Sequence, residues 1–135
     1  MLRFCELEEV QSELLVMLQP DERAVLMARR CFALDLKNDA ELIAEYEAVH
    51  GPGAGWPAVI EHIKATGVEV MEIWRTGDRL FMIAEVADDY PRPVEAPADV
   101  ERWETLMWRF QQPLPHAAEG EKWVAMKLIF SLDEQ

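Results

Sequence analysis

No run of apolar residues in this sequence approaches the roughly 20 in succession that a bilayer-spanning helix needs. Its first stretch, "MLRFCELEEV", carries acids where a secretory leader needs a basic start and an apolar core. No membrane span or export signal is read, and a cytoplasmic protein is expected. Basic residues are scarce, 13 Lys and Arg against 26 Asp and Glu, so the net charge of −13 repels phosphate backbones and anionic head groups. Nucleic acid and acidic membranes are therefore not expected as partners. Cysteine is nearly absent: Cys5 and Cys31 sit in unlike contexts, outside any C-x-x-C pair, and no disulfide is expected. The histidines His50, His62 and His116 are scattered, none with a second His or Cys at a ligand-like spacing. Neither a metal nor another cofactor is predicted.

What is present suits one soluble domain. The chain has 135 residues, enough for one hydrophobic core and too few for two of ordinary size. Residues 1–28 read as an N-terminal extension. Leu7, Val10, Leu14, Leu15 and Leu18 recur there at helical spacing before Pro20, so an amphipathic helix, a mobile extension and an upstream stretch from a wrong start codon all fit. No function is assigned to it. The domain proper is read over residues 29–135.

From Arg29, "RRCFALDL" alternates Phe32, Leu34 and Leu36 against Cys31, Ala33 and Asp35, as a strand with two unlike faces does. Asn38 or Asp39 can cap the helix "AELIAEYEAVH", whose stripe is Leu42, Ile43, Tyr46, Val49 and His50. A bend rich in glycine breaks this helix at Gly51 to Gly55. Pro57 opens a second helical piece that Gly67 closes. "VEVMEIWR" and "RLFMIAEV", joined by "TGD", read as a hairpin, and "ADDYPRPVEAPAD" as a loop. Trp103, Leu106, Met107 and Phe110 lie on one face of a further helix, and "KWVAMKLIF" is predicted as a closing strand. The order is that of a ferredoxin-like α+β fold, βαββαβ, with an antiparallel sheet. Both sheet faces are largely apolar, yet the helices cover only one. A second copy is the expected cover, giving a homodimer with a dimeric α/β barrel.

Tyr46 and His50 stand one helical turn apart, and the break at Gly51 puts the imidazole beside backbone open to a ligand. Histidine alone changes protonation near neutral pH when unperturbed, so it suits a step that lends and reclaims a proton. A His that caps the helix C-terminus and does nothing else fits the same spacing. Trp56, Trp74 and Trp103 can stack on the C–H faces of a sugar or serve as core. Glu72 interrupts an apolar strand face, where it either meets a sugar hydroxyl pair or bridges to Arg29, Arg30 or Arg75. Glu104, beside Trp103, lines the pocket or is solvated.

The region from Arg29 to about Leu132 resembles the L-rhamnose mutarotase family of small dimeric sugar epimerases, and within it the branch associated with L-fucose. The likeness rests on an ordered set: "RRCFALDLKND", Tyr46 and His50 in "YEAVH", Trp56-Pro57, "MEIWRTGDRLFMIAEV", "RWETLMWRFQ" and a last strand ending in "IF". The resemblance implies that His50 is the proton donor and that Tyr46 contacts the sugar. Rhamnose-type members have a tyrosine where this chain has Met71 and a Trp-Trp pair where it has Trp103-Glu104. The bend between His50 and Trp56 is also longer by two residues. These departures favour L-fucose over L-rhamnose, with Glu72, Trp74 and Glu104 as candidates for altered hydroxyl contacts.

The expected activity is that of a carbohydrate isomerase interconverting the α and β anomers of a monosaccharide, a 6-deoxy-L-hexose, without a cofactor. His50 acts as acid on the ring oxygen, Tyr46 orients the sugar, and Glu72 is the first choice as base. Two other classes share the fold: cofactor-free dimeric oxygenases or decyclases acting on apolar aromatics, and a non-catalytic ligand-binding dimer. The latter's mark is a His50 held against backbone carbonyls with no cavity beside it.

Overall fold

A computed structural model describes residues 28–135. The reading of residues 1–28 as an extension falls almost wholly outside the described residues. Strand β1 (Ala28–Leu36) leads through a tight bend into helix α1 (Ala40–Val49). Asp39 sets that helix's start: its backbone is extended and its carboxylate accepts from the N–H groups of Glu41 (3.0 Å) and Leu42 (3.1 Å), two donors with no partner inside the helix. After the glycine bend, helix α2 (Pro57–Ala65) begins on Pro57, whose missing N–H costs nothing at a first helical position. Gly67 follows it with φ +109°, a backbone shape that side chains resist.

Strands β2 (Val68–Thr76) and β3 (Arg79–Val86) form the predicted hairpin, turning at Gly77 with φ +56°. Helix α3 (Ala98–Trp108) is followed by two short strands, β4 (Gln111–Gln112) and β5 (Val124–Ala125). The antiparallel sheet runs β2-β3-β1, and β4 and β5 share the other edge of β1, opposite Asp35–Leu36 and Phe32–Ala33 respectively. The last strand thus lies beside the first, as the ferredoxin-like order requires.

One expectation is corrected. "KWVAMKLIF" does not form a strand of that length: after the Met126 N–H bond to the Cys31 carbonyl (2.8 Å) the chain leaves the sheet, and Leu128, Ile129 and Phe130 are exposed. Alternating polarity marks an extended segment, but it does not name the edge that the segment pairs with.

Register fixes the two faces. Leu34 and Leu36 of β1, Leu80 of β3, and Ile73 and Arg75 of β2 point to the helix side. There Leu36, Tyr46, Leu80, Met107 and Phe110 form the buried core, with Leu42, Ile43, Val49 and Trp103 packed around it. The opposite face carries Cys31, Ala33, Phe81 and Ile83 at its centre, Glu72 and Trp74 on β2, and an ion pair at each end of β1: Arg29 with Glu85 and Arg79 with Asp35. No helix among the described residues is long and apolar enough to cross a membrane.

Candidate active site

Helix α1 ends at His50, and its last turn is tightened: the His50 backbone N–H bonds the Glu47 carbonyl (3.2 Å) rather than the Tyr46 carbonyl one residue earlier. The orphaned Tyr46 carbonyl accepts instead from the His50 ring, Nδ1 to oxygen 2.6 Å. A carbonyl offers no proton, so Nδ1 carries the hydrogen. When the ring is uncharged, Nε2 therefore holds a lone pair. The capping role weighed for His50 is real, and it selects one tautomer.

Rings hold the imidazole in place. Tyr46 lies 4.1 Å away between ring centres, Trp103 5.3 Å away edge-on, and Trp56 packs 5.2 Å from Trp103. Burial among these groups pushes the His50 pKa below its ordinary 6.5, partly opposed by the hydrogen bond to the Tyr46 carbonyl. The Tyr46 phenol is pushed up to about 12, chiefly by burial, with a hydrogen bond from Gln111 opposing the rise and the charge of Glu104 adding to it. Gln111 is itself buried, and its Oε1 has no partner among the described residues.

Beside His50 opens a cavity of ≈ 360 Å³. Helix α1 contributes Tyr46, Glu47 and His50, strand β2 contributes Ile73, Trp74 and Arg75, and Leu80 lies beneath. Arg75 crosses from strand to helix, its Nε donating to Glu47 Oε1 at 2.5 Å and its Nη1 to the Gly77 carbonyl at 2.8 Å. The residues lining the cavity therefore bring together an imidazole, a phenol ring, a carboxylate and a guanidinium with apolar neighbours. Such a set can orient a small polyhydroxylated molecule and pass a proton to and from it.

Of the residues expected at the site, Tyr46 and His50 line the cavity, Trp74 borders it from a strand position whose side chain belongs to the opposite face with Glu72, and Trp103 and Trp56 form the aromatic wall behind the imidazole. Glu72 does not join them. Paired opposite Ile83 while Ile73 pairs opposite Met82, it projects from the sheet face turned away from α1, exposed and without an ion pair among the described residues. The bridges weighed for it are absent as well: Arg75 is taken by Glu47, Arg29 by Glu85, and Arg30 stands on the other face of the sheet. Glu104 faces solvent and pairs with Lys122, whose ammonium lies over the Trp108 ring; Glu104 acts on the site only through its charge near Tyr46.

Sequence reasoning missed Glu47, Arg75 and Gln111. For Glu47 a signal was available: residues i and i+3 on a helix are neighbours, so a carboxylate at 47 stands beside an imidazole at 50. Arg75 shares the alternation of Ile73, the same face of β2. Gln111 lies in a short strand that no periodicity marks.

Comparison with known proteins agrees with this architecture. A family model described as L-rhamnose mutarotase matches residues 29–132. An L-fucose mutarotase of Xanthomonas campestris pv. campestris is 45% identical over 113 residues, spanning 80% of this chain and 90% of that protein. A UPF0734 protein of Dictyostelium discoideum is 37% identical over 110 residues, spanning 75% of this chain and 86% of the relative. The crystal structure of an L-rhamnose mutarotase from Formosa agariphila superposes with a TM-score of 0.58 at 19% identity, covering 78% of this chain and 98% of that one, a likeness of fold. With an imidazole, a phenol and an ion pair around a sugar-sized hollow, and a family match across nearly all the described residues, the chain belongs to the L-rhamnose mutarotase family, enzymes that interconvert sugar anomers.

Proposed function

We propose that the protein interconverts the α and β anomers of a 6-deoxy-L-hexose, L-fucose ahead of L-rhamnose, by proton transfer through His50. The observation that carries this reading is an imidazole locked in one tautomer by the Tyr46 carbonyl at the wall of a ≈ 360 Å³ cavity, a volume within the ~300–1,000 Å³ of small-molecule sites. Identity of 45% to an L-fucose mutarotase supports the choice of sugar, as do Met71 and Glu104.

At neutral pH the uncharged ring takes the anomeric hydroxyl's proton on Nε2. The C1–O1 bond becomes a carbonyl as the bond from C1 to the ring oxygen breaks, and the imidazolium gives its proton to that oxygen. Both oxygens are attached to C1, so one nitrogen reaches each in turn. The open chain rotates about C1–C2, and the same steps in reverse close the ring on the other face. His50 is therefore donor to the ring oxygen, the role implied by the resemblance, but it begins the cycle as a base. Atoms and charges balance with no oxidant, reductant or cofactor. Tyr46 orients the sugar.

An oxygenase or decyclase for apolar aromatics is disfavoured, because an ion pair on the cavity wall is costly to bury against an apolar substrate. Saturation-transfer NMR on equilibrated L-fucose, L-rhamnose and several aldoses tests the reading. Exchange faster than buffer with L-fucose leading is expected, and buffer-rate exchange for every sugar refutes it.

We also propose that the protein is cytoplasmic and that a second copy of the chain packs on the sheet face turned away from the helices. Support comes from the apolar centre of that face, its complementary charged ends, and the neighbouring tail, where Ile129 is 89% and Leu128 73% exposed.

A further inference from the structure

Two charged side chains on the cavity wall are not used by the proton cycle. Glu47 and Arg75 come from different elements, α1 and β2, and meet at 2.5 Å where the cavity opens. An exposed ion pair of this kind adds little to stability, so fold maintenance explains it poorly: the Glu47 side chain is 54% and the Arg75 side chain 34% exposed. The pair also keeps polar atoms that no other described residue engages. Of the five N–H donors of a guanidinium, one on Nε goes to Glu47 and one on Nη1 to the Gly77 carbonyl, so the remaining three have no partner among the described residues, and neither has Glu47 Oε2. What is left is an acceptor and a set of donors side by side, fixed by a second anchor on the turn.

We infer that the Glu47–Arg75 pair is the specificity element of the site, holding two adjacent hydroxyls of a neutral sugar while C1, at His50, is left free to turn. The inference rests on the mutarotase reading above. A hydroxyl is both donor and acceptor, so neighbouring hydroxyls satisfy the pair together: one donates a hydrogen bond to Glu47 Oε2, and the next accepts one from the guanidinium. The two charges already cancel, so the wall offers no net positive charge to a sugar carboxylate, and the chain's net charge of −13 adds a repulsive field. The class of ligand assigned is therefore the uncharged deoxyhexoses and hexoses, selected by which ring carbons bear the adjacent hydroxyl pair. The grip is on atoms that do not change during the reaction. It acts on ground state and transition state alike, and its loss falls on KM rather than kcat.

The test uses the full chain and three variants, Glu47→Gln, Arg75→Gln and the exchange Glu47→Arg/Arg75→Glu. L-Fucose and its 2-, 3- and 4-deoxy analogues are the probes. Binding is read by NMR titration, turnover by saturation transfer and folding by thermal melting. Each single variant is expected to melt near the wild type, to weaken L-fucose binding and raise KM by about 10- to 100-fold, and to change kcat by less than about threefold. For at least one deoxy analogue, Glu47→Gln costs nothing further, because the hydroxyl it served is already missing. The exchange variant keeps an ion pair but reverses donor and acceptor, and its binding stays weak. Unchanged KM in both single variants, full recovery in the exchange variant, or an equal Glu47→Gln penalty for all three analogues overturns the inference. Wild-type protein that binds L-fucose without turning it over refutes the catalytic reading alone, and the binding losses must then still appear.

Discussion

The Gln111 side chain, which acts on the Tyr46 phenol against the effect of burial, offers a test of what that hydroxyl contributes to stability. Tyr46→Phe removes only an oxygen, so the ring contacts with His50 at 4.1 Å and Phe110 at 5.9 Å survive and no cavity opens in the core. What changes is Gln111. Gln111 is 3% exposed and its Oε1 has no partner among the described residues, so losing the phenol takes from this buried amide the interaction it makes with Tyr46. A buried polar group stripped of its partner costs about 1–3 kcal/mol. At about 4 °C per kcal/mol for a domain of this size, the melting temperature falls by about 4 to 12 °C. Replacing both partners, Tyr46→Phe with Gln111→Met, removes the stranded amide and restores most of that loss, since two apolar groups need nothing from each other. Differential scanning calorimetry on the two singles and the double measures the coupling. Purely additive losses, or a Tyr46→Phe protein that melts with the wild type, would refute the argument that this hydroxyl is held by Gln111.

The remaining predictions concern proton uptake and assembly. Burial lowers the His50 pKa, so turnover is expected to stay level from neutral pH to below 6.5 and to fall at lower pH as Nε2 is occupied; a rate that climbs toward pH 5 means the protonated ring is the resting active form. The same shift sets a stability sign: the unfolded chain takes up the proton first, so stability present above pH 6.5 is lost as pH falls toward the folded value, and His50→Asn removes that slope in urea titrations. Sedimentation at micromolar concentration is expected to give twice the 15.6 kDa chain mass, and Ile129→Lys to shift the protein toward a single chain; a wild-type monomer contradicts the covered face.

Much of the fold was legible because local chemistry and global architecture agree. The alternation in "RRCFALDL" matches the β1 register, Asp39 caps α1 as its residue type predicts, and "TGD" turns the hairpin where Gly77 takes a positive φ. The last strand failed for a different reason: periodicity reports that a segment is extended and says nothing of its partner. Alternation likewise divided β2 into two sets, Glu72 with Trp74 and Ile73 with Arg75, but not which set the helices would cover. Choosing the carboxylate as the informative interruption led to the wrong face. The pair that lines the cavity is assembled across α1 and β2, and no local pattern shows a contact between residues that far apart in sequence.

The most direct test of the central claim is the rate of L-fucose anomer exchange in His50→Gln, a substitution that removes the titrating nitrogen while keeping a polar side chain at the helix end. Exchange about 10²- to 10⁴-fold slower than wild type, with L-fucose binding retained, is the predicted result. A His50→Gln protein that exchanges anomers at the wild-type rate would contradict the account.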